Sequence, residues 1–297
     1  MQVLPKQFIK LLCIGHRKRV QKMVQLIVVD LDGTLLSERD EVHPENIRAI
    51  ERCRKRGIKV CPVTARNWNE IQPILQQVTF DGIAAINNGA CMVSLDTGER
   101  LYESYFDTEN VSKIVSSITN QPFVFLSLLG YDYMHLVEGT GTVSWLHHYD
   151  KETQRKMGIQ LYQDVEALLK NSQNVQRVTC SFLKQQGGQI RPLLNQIQRQ
   201  CRCKAMFMQE AGGDYVEISP EKAGKASAMQ RIGQYFGIEL EHVMAFGDNE
   251  NDIEMLKTAG FSVAMGNADK EVKQVATMVT SNNWEGGVAT ALQTLIS

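Results

Sequence analysis

The 297-residue chain is predicted to be an α/β protein: an open parallel sheet interrupted by a separate α+β module. Two observations point that way. Strand-like and helix-like segments alternate from Met23 to Asn88 and again from Ser219 to Ser297, the pattern of a parallel sheet with right-handed crossovers. Between them, over residues 89–218, the rhythm gives way to short alternating strands mixed with helices. A third observation concerns function: Asp30 and Asp32 close the first apolar run, at the sheet edge where ligands of such folds bind.

The elements follow in order. Gln25–Val29 (QLIVV) is a continuous apolar run suited to a strand covered on both faces. Pro44 opens a helix with Ile47, Ile50 and Cys53 at helical spacing, and Gly57 stops it. Ile58–Thr64 reads as the second strand, Asn67 as the cap of a second helix, and Gly82–Asn87 as a third strand of the same sheet. In the module, YDYMHLV (Tyr131–Val137), RVTCSFL (Arg177–Leu183) and DYVEI (Asp214–Ile218) read as strands of an antiparallel sheet. IQLYQDVEALLK (Ile159–Lys170) and IRPLLNQIQRQ (Ile190–Gln200) read as helices. The parallel rhythm then resumes through the helix from Lys225, the strand HVMAF, the helix NDIEMLKTAG, the strand FSVAM and a last strand–helix pair. The expected division is an N-terminal extension over 1–22 with little order, a core from 23–88 and 219–297, and an inserted module over 89–218.

Composition narrows the function classes. With 43% hydrophobic and 22% charged residues and a net charge of −1, no basic field recruits nucleic acid or an anionic membrane. No uninterrupted apolar run reaches the length of a membrane span. Seven scattered cysteines form no disulfide framework, and the Cys201–Cys203 pair lacks a partner pair at zinc-site spacing. A cytoplasmic location is therefore expected. The first 22 residues put an apolar patch before a basic cluster, the reverse of a secretory signal.

Four polar clusters fall at strand ends of the parallel sheet: Asp30 with Asp32, Thr64 with Arg66, Lys225, and Asp248 with Asn251 and Asp252. Each has an ordinary explanation. Asp-Leu-Asp-Gly could be a turn, Asp248 a helix cap, Thr64 a strand-end hydroxyl and Lys225 a solvated helix residue. What those readings leave out is why several carboxylates should converge where repulsion raises their pKa values. A hard divalent ion resolves that, and Mg²⁺, which keeps several waters, suits a site with few protein ligands.

The segments DLDGT (Asp30–Thr34), VTAR (Val63–Arg66), the lysine at Lys225 and GDNENDIEML (Gly247–Leu256) resemble, in that order, the four motifs of the haloacid dehalogenase superfamily. Only 33 residues separate Asp30 from Thr64, whereas 160 separate Thr64 from Lys225. An insertion at that second point is similar to the Cof-type, class IIB sugar-phosphate phosphatases, with NNGA and VAMGNA adding to the likeness. The resemblance implies a Rossmann-like core with a C2-type cap, Mg²⁺ as cofactor and a small phosphorylated molecule as substrate.

It also implies roles. Asp30 would attack phosphorus to give an aspartyl-phosphate, and Asp32 would serve as general acid and base. Asp30, the backbone carbonyl of Asp32, and Asp248 would ligate the metal. Thr64, Lys225, Asn251 and the turn at Gly33 would meet the phosphate, while Asp252 and Arg66 would stand behind. Lys222, three residues before Lys225, competes for the lysine role, although the register after EISP favours Lys225. Ala65 and Ala226 replace glycines frequent in relatives, and both are small. For substrate selection the module offers Tyr131, Tyr133 and His135 along one strand, and Trp145, His147 and His148 shortly after, though an ordinary sheet face explains them equally well.

Two other readings compete: a phosphomutase or phosphotransferase of the same fold, in which an alcohol replaces water, and a non-catalytic sensor of a phosphorylated metabolite. The intact acidic set argues against the sensor. Because the first strand begins after Met23, deleting residues 1–22 should leave thermal stability and phosphatase turnover almost unchanged. A large fall in melting temperature would show that the extension packs on the core.

Overall fold

The computed structural model describes residues 24–141, 143, 146, 149–184, 187–210 and 213–296. The expectations for residues 1–22 and for Trp145, His147 and His148 fall outside that set. The chain runs β1 (Leu26–Val29), α1 (Pro44–Lys55), β2 (Lys59–Pro62), α2 (Trp68–Leu75), β3 (Ile83–Ile86), β4 (Cys91–Ser94) and β5 (Arg100–Glu103). It continues through α3 (Thr108–Thr119), β6 (Phe125–Leu129), β7 (Met134–Glu138), α4 (Lys151–Lys156), β8 (Ile159–Tyr162), α5 (Val165–Asn171), β9 (Arg177–Phe182) and α6 (Gly187–Cys201). After β10 (Cys203–Glu210) and β11 (Gly213–Pro220) come α7 (Lys225–Phe236), β12 (Val243–Gly247), α8 (Ile253–Thr258), β13 (Phe261–Ala264), α9 (Lys270–Val275), β14 (Met278–Val279) and α10 (Gly287–Ile296).

Five strands form a parallel sheet in the order β14-β13-β12-β1-β2. Strand β1 shows why a continuous apolar run suits its centre. Ile27 and Val29 enter one core layer with Ile50 of α1 and Leu292 of α10, while Leu26 and Val28 enter the other with Met229 and Ile232 of α7. Side chains alternate across a strand, so a strand buried on both faces has no polar position to spare. Helix α1 begins as its sequence suggests, with Pro44 at the first turn and His43 Nδ1 accepting from Glu45 N at 3.2 Å. Helix α2 is fixed by a capping box in which Asn67 accepts from Glu70 N and Glu70 accepts from Asn67 N.

Strand β3 departs from the expectation that it extends the parallel sheet. It meets that sheet only through a parallel bridge between Val63 and Ala85, and pairs antiparallel with β4 in a three-stranded β3-β4-β5 sheet. The cause is local: Asn87, Asn88 and Gly89 adopt φ values of 48°, 53° and 78°, so the chain turns back at once. Asparagine and glycine are the residues that tolerate this left-handed region. Cys91 and Val93 of β4 pack in the core of the parallel sheet, and side chains packing with the next sheet begin at Phe106.

That second sheet has six strands in the order β10-β11-β9-β6-β7-β8. Pairs are antiparallel except β7–β8, which is parallel, so the sheet is mixed. Ile159–Lys170, expected to be one helix, is instead strand β8 followed by α5, because Asp164 caps α5 by accepting from Ala167 N at 2.7 Å. One face is covered by α3, α5 and α6 through Ile114, Leu168 and Ile197. Among the described residues no helix is long and apolar enough to cross a membrane, and the described cysteines are free and buried.

Two glycines separate backbone strain from steric overlap. Gly57 (φ +82°) has open space where a Cβ would stand, whereas at Gly89 (φ +78°) a Cβ would lie 2.6 Å from the Gly224 carbonyl oxygen. Gly57→Ala should cost roughly 1–2 kcal/mol, the left-handed penalty alone. Gly89→Ala should cost at least about 2 kcal/mol more, because backbone must move. Urea midpoints at unchanged slope measure both, and equal losses would show that the β3–β4 turn yields freely.

Candidate active site

Strands β1, β2 and β12 lie side by side, with Val29 opposite both Pro62 and Phe246. The residues just beyond their carboxyl ends are therefore neighbours, and these are Asp30, Thr64 and Asp248. Helix α7 brings Lys225 in from its first turn. Its Nζ donates to Asp30 Oδ1 at 2.7 Å and to Asp252 Oδ1 at 2.8 Å. Lys225, Asp30 and Asp252 are all buried. Lys222, the competing lysine, is exposed, so of the two Lys225 is the one brought to the carboxylates.

Asp252 has a second task. Its Oδ2 accepts from Asp248 N at 3.0 Å and Asn249 N at 3.1 Å, so one carboxylate holds both the lysine and the loop that carries Asp248. Asp248 Oδ1 accepts from Thr34 Oγ1 at 2.8 Å. After β1 the chain makes a kinked helical turn over Leu31–Leu35 in which Gly33 has φ +70°. A Cβ at Gly33 would stand 2.2 Å from Asp248 Oδ2, so the position has both a conformational and a steric need for glycine. From outside, Asn267 Nδ2 donates to the Gly33 carbonyl at 2.8 Å, Asn283 N donates to Asn267 Oδ1 at 3.0 Å, and Asn283 Nδ2 donates to the Leu36 carbonyl at 2.6 Å.

Asp30, Asp248 and Asp252 can each direct an oxygen to within 4.8 Å of the others. For the protein's own atoms, burial and then the nearby Asp252 charge raise the Asp30 pKa well above the carboxylate range, despite Lys225. Burial pushes Asp248 to about 6 although Thr34 favours its charged form. Burial works against the Lys225 ammonium, but Asp252 and Asp30 outweigh it and raise its pKa. Three carboxylates against one ammonium leave an excess of negative charge in a desolvated place. All oxygen donors, and an unmet charge of about two, fit a hard divalent cation.

Asp32 is not part of that cluster. Its carboxylate, about half exposed, takes Arg66 Nε at 3.0 Å and Nη2 at 2.5 Å. Arg66 also binds Asp40, and these bonds outweigh its burial and raise its pKa. Thr64 is fully buried and its Oγ1 accepts from Arg66 N at 3.1 Å, which leaves its own hydroxyl proton free to donate. Asn251 Nδ2 donates to Asn88 Oδ1 at 3.2 Å.

Thr34, Asp40, Asn88 and Asn267 have contacts here that went unread in the sequence. Asn88 lies in NNGA and Asn267 in VAMGNA, segments that carry likeness alone, while Thr34 lies in DLDGT, where the resemblance gives it only a part with Gly33 in the backbone turn toward the phosphate. Asp40 lies in none of these segments. The aromatic candidates fare differently. Tyr131 stacks on Trp68 at 5.8 Å, Tyr133 Oη donates to the Gln173 carbonyl at 2.6 Å, and His135 Nδ1 meets Ser172 Oγ at 2.9 Å. On β7, Val137 packs with the helices and Leu136 on the opposite face; His135 shares Val137's parity and so lies on the helix-covered side.

The haloacid dehalogenase-like hydrolase model matches residues 27–292. The chain is 27% identical to the 5-amino-6-(5-phospho-D-ribitylamino)uracil phosphatase YwtE of Bacillus subtilis, over 92% of this chain and 99% of that one. It is 27% identical to the pyridoxal phosphate phosphatase YbhA of Escherichia coli, over 89% of this chain and 96% of that one. A haloacid dehalogenase-like hydrolase from B. subtilis, 22% identical, shares the fold with a TM-score of 0.77, covering 91% of this chain and 99% of that one. The match spans all three sheets and every motif at the Asp30 edge, and the chain therefore belongs to the haloacid dehalogenase-like hydrolase family, as a phosphatase.

Proposed function

We propose that the enzyme hydrolyses a small phosphomonoester, a sugar phosphate or a phosphorylated cofactor, using Mg²⁺ and an aspartyl-phosphate on Asp30. The observation that carries this reading is the buried bridge from Asp30 through Lys225 to Asp252, with Asp248 alongside. It holds a carboxylate rigidly at a strand end while leaving a local excess of negative charge. The names of the B. subtilis and E. coli relatives, a ribityl phosphate and a pyridoxal phosphate phosphatase, support a small cofactor-related ester.

In the first step a carboxylate oxygen of Asp30 forms a bond to phosphorus as the ester P–O bond breaks, and Asp32 gives the leaving oxygen its proton. In the second, Asp32 takes a proton from water as that water attacks phosphorus, releasing phosphate and restoring Asp30. Lys225, the Thr64 hydroxyl and the Asn251 amide are the donors for phosphoryl oxygens, and the Gly33 turn brings the backbone toward them while leaving room for the Asp248 carboxylate. Mg²⁺ held by Asp30, Asp248 and the Asp32 carbonyl would neutralise the charge that otherwise keeps an anionic nucleophile from an anionic ester. Asp252 stays behind, its oxygens committed to Lys225 and the Asp248 loop. Arg66 orients Asp32.

Asp30→Asn should abolish turnover of p-nitrophenyl phosphate with the fold intact, and wild-type rates in a clean preparation would end the mechanism. Asp32→Asn should lose about 10²- to 10⁴-fold. That loss should shrink for esters with good leaving groups; equal loss across a leaving-group series would remove the acid role.

The pH dependence has a definite sign. Asp248 stands at about 6 in the folded chain against 3.8 as its reference, so between those values the folded state holds a proton that the unfolded state has released. Metal-free stability should therefore fall as pH rises from about 4 to about 6. A divalent cation should raise the melting temperature more at pH 7.5 than at pH 5. Thermal melts with MgCl₂ and with EDTA test this, and a pH-independent shift would remove Asp248 from the metal site.

A further inference from the structure

We infer that Glu217, on β11 of the second sheet, is a positioning residue for phosphoryl transfer, acting through Asn88 on the amide of Asn251. It rests on the reading of Asn251 as a phosphate donor. The contacts run in one line: Arg177 Nη1 lies 3.3 Å from Glu217 Oε2, Glu217 Oε1 accepts from Asn88 Nδ2, and Asn88 Oδ1 accepts from Asn251 Nδ2 at 3.2 Å.

The chemistry of the groups fixes the polarity of this line. A carboxylate can only accept, so Asn88 must turn its NH₂ to Glu217 and its carbonyl oxygen to Asn251. Asn251 must then offer its own NH₂ to Asn88, which leaves a second N–H on the same nitrogen for a phosphoryl oxygen. Asn251 keeps this orientation although its Oδ1 has no partner within the protein. With an apolar residue at position 217, nothing would choose between the two orientations of either amide.

Asn88 is held where it can pass this on. Its N donates to the Thr64 carbonyl at 2.8 Å, and its carbonyl accepts from Gly224 N at 2.7 Å, directly before Lys225. Its φ of 53° restricts the position to residues that tolerate the left-handed region. A buried polar cluster at the junction of two sheets could simply satisfy itself. Here, however, Asn88, Glu217 and Asn251 border a cavity of about 320 Å³ that Lys225 also lines, so the line ends at open space beside the site rather than in packed core. Glu217 and Arg177 are buried, and the pair fixes the carboxylate without covering the oxygen given to Asn88.

The test reads phosphate binding directly, as inhibition of p-nitrophenyl phosphate turnover by inorganic phosphate, alongside kcat, KM and melting temperature. Asn251→Ala should weaken phosphate inhibition by about tenfold, the scale of one hydrogen bond to a charged group. Glu217→Ala and Asn88→Gly, the latter suited to the left-handed backbone, should each weaken it by several-fold. Neither should add to the loss when combined with Asn251→Ala. Glu217→Gln, whose one acceptor oxygen is claimed by Arg177 and which then turns its NH₂ to Asn88, should weaken inhibition as Glu217→Ala does while keeping the wild-type size. Wild-type phosphate inhibition in both Glu217→Ala and Asn88→Gly, or losses that multiply in the Asn251→Ala background, would overturn the inference. Should Glu217→Ala fail to fold with Arg177 left unpaired, Glu217→Gln, which keeps an acceptor for Arg177, decides in its place, and wild-type phosphate inhibition there would overturn the inference. Unchanged inhibition in Asn251→Ala itself would instead overturn its reading as a phosphate donor, and the inference with it.

Discussion

Lys225 reaches two carboxylates at once, 2.7 Å from Asp30 and 2.8 Å from Asp252, and the site depends on that double contact. Without the ammonium, three acidic groups would share one desolvated space, where each would hold its proton rather than its charge. With it, the excess is small enough for one divalent ion to complete. A buried charge is costly unless its partners are fixed, and here both are fixed by backbone hydrogen bonds. Asp30 is anchored by Asp30 N donating to the Phe246 carbonyl, and Asp252 by the loop N–H groups it caps. The lysine thus ties β1 to the segment after β12 across adjacent strands, and the electrostatic balance and the local fold are one constraint.

The same economy explains the turn after β1. Gly33 lets Asp248 come close, Thr34 bonds the carboxylate that has come close, and Asn267 holds the Gly33 carbonyl from the far side. Asn283 then fastens Asn267 and the Leu36 carbonyl. The turn is therefore clamped by residues more than two hundred positions away in sequence. A preorganised site needs its reacting groups held by packing and hydrogen bonds before substrate arrives, and these amides supply that from the loops that follow β13 and β14.

Most of the parallel sheet was legible because its cause is local. LIVV, KVCP and VMAFG are apolar runs too short for helices, and α1 and α2 carry their start signals at Pro44 and Asn67. Asp30, Asp248 and Lys225 were legible from order and spacing, whereas Asn88, Asn267 and Asp40 act through partners that pattern alone does not reveal. Strand β3 looks in sequence like another strand of the parallel sheet because its apolar run has the same length as β1 and β2, and only the left-handed Asn87-Asn88-Gly89 turn pairs it antiparallel with β4. The apolar residues of Ile159–Lys170 suit one helix as well as an edge strand followed by a helix, and the capping residue Asp164, in mid-segment, separates the two. Tyr133 and His135 show a different limit. A period of two says that two residues share a face, and only the packing of Val137 against the helices says which face it is.

That limit bears on how this fold chooses substrates. Among the described residues the aromatic candidates are engaged by the protein itself: Tyr131 stacks on Trp68 and meets the Arg100 guanidinium, and Tyr133 stacks on His135. Trp68 N also donates to the Tyr131 carbonyl, and Asn69 Nδ2 to the Asp132 carbonyl, so this loop seats the second sheet on the first turn of α2. The face of that sheet opposite the helices is polar at its centre, with Ser127 bonded to Thr179 and Arg177 paired with Glu217. A polar centre of this kind is costly in an ordinary core, where apolar residues of the same size would serve as well. It is useful where a sheet lies over a site whose own charges must be answered, because groups with fixed hydrogen-bond polarity can pass orientation across the gap while contributing no bulk to the space beneath.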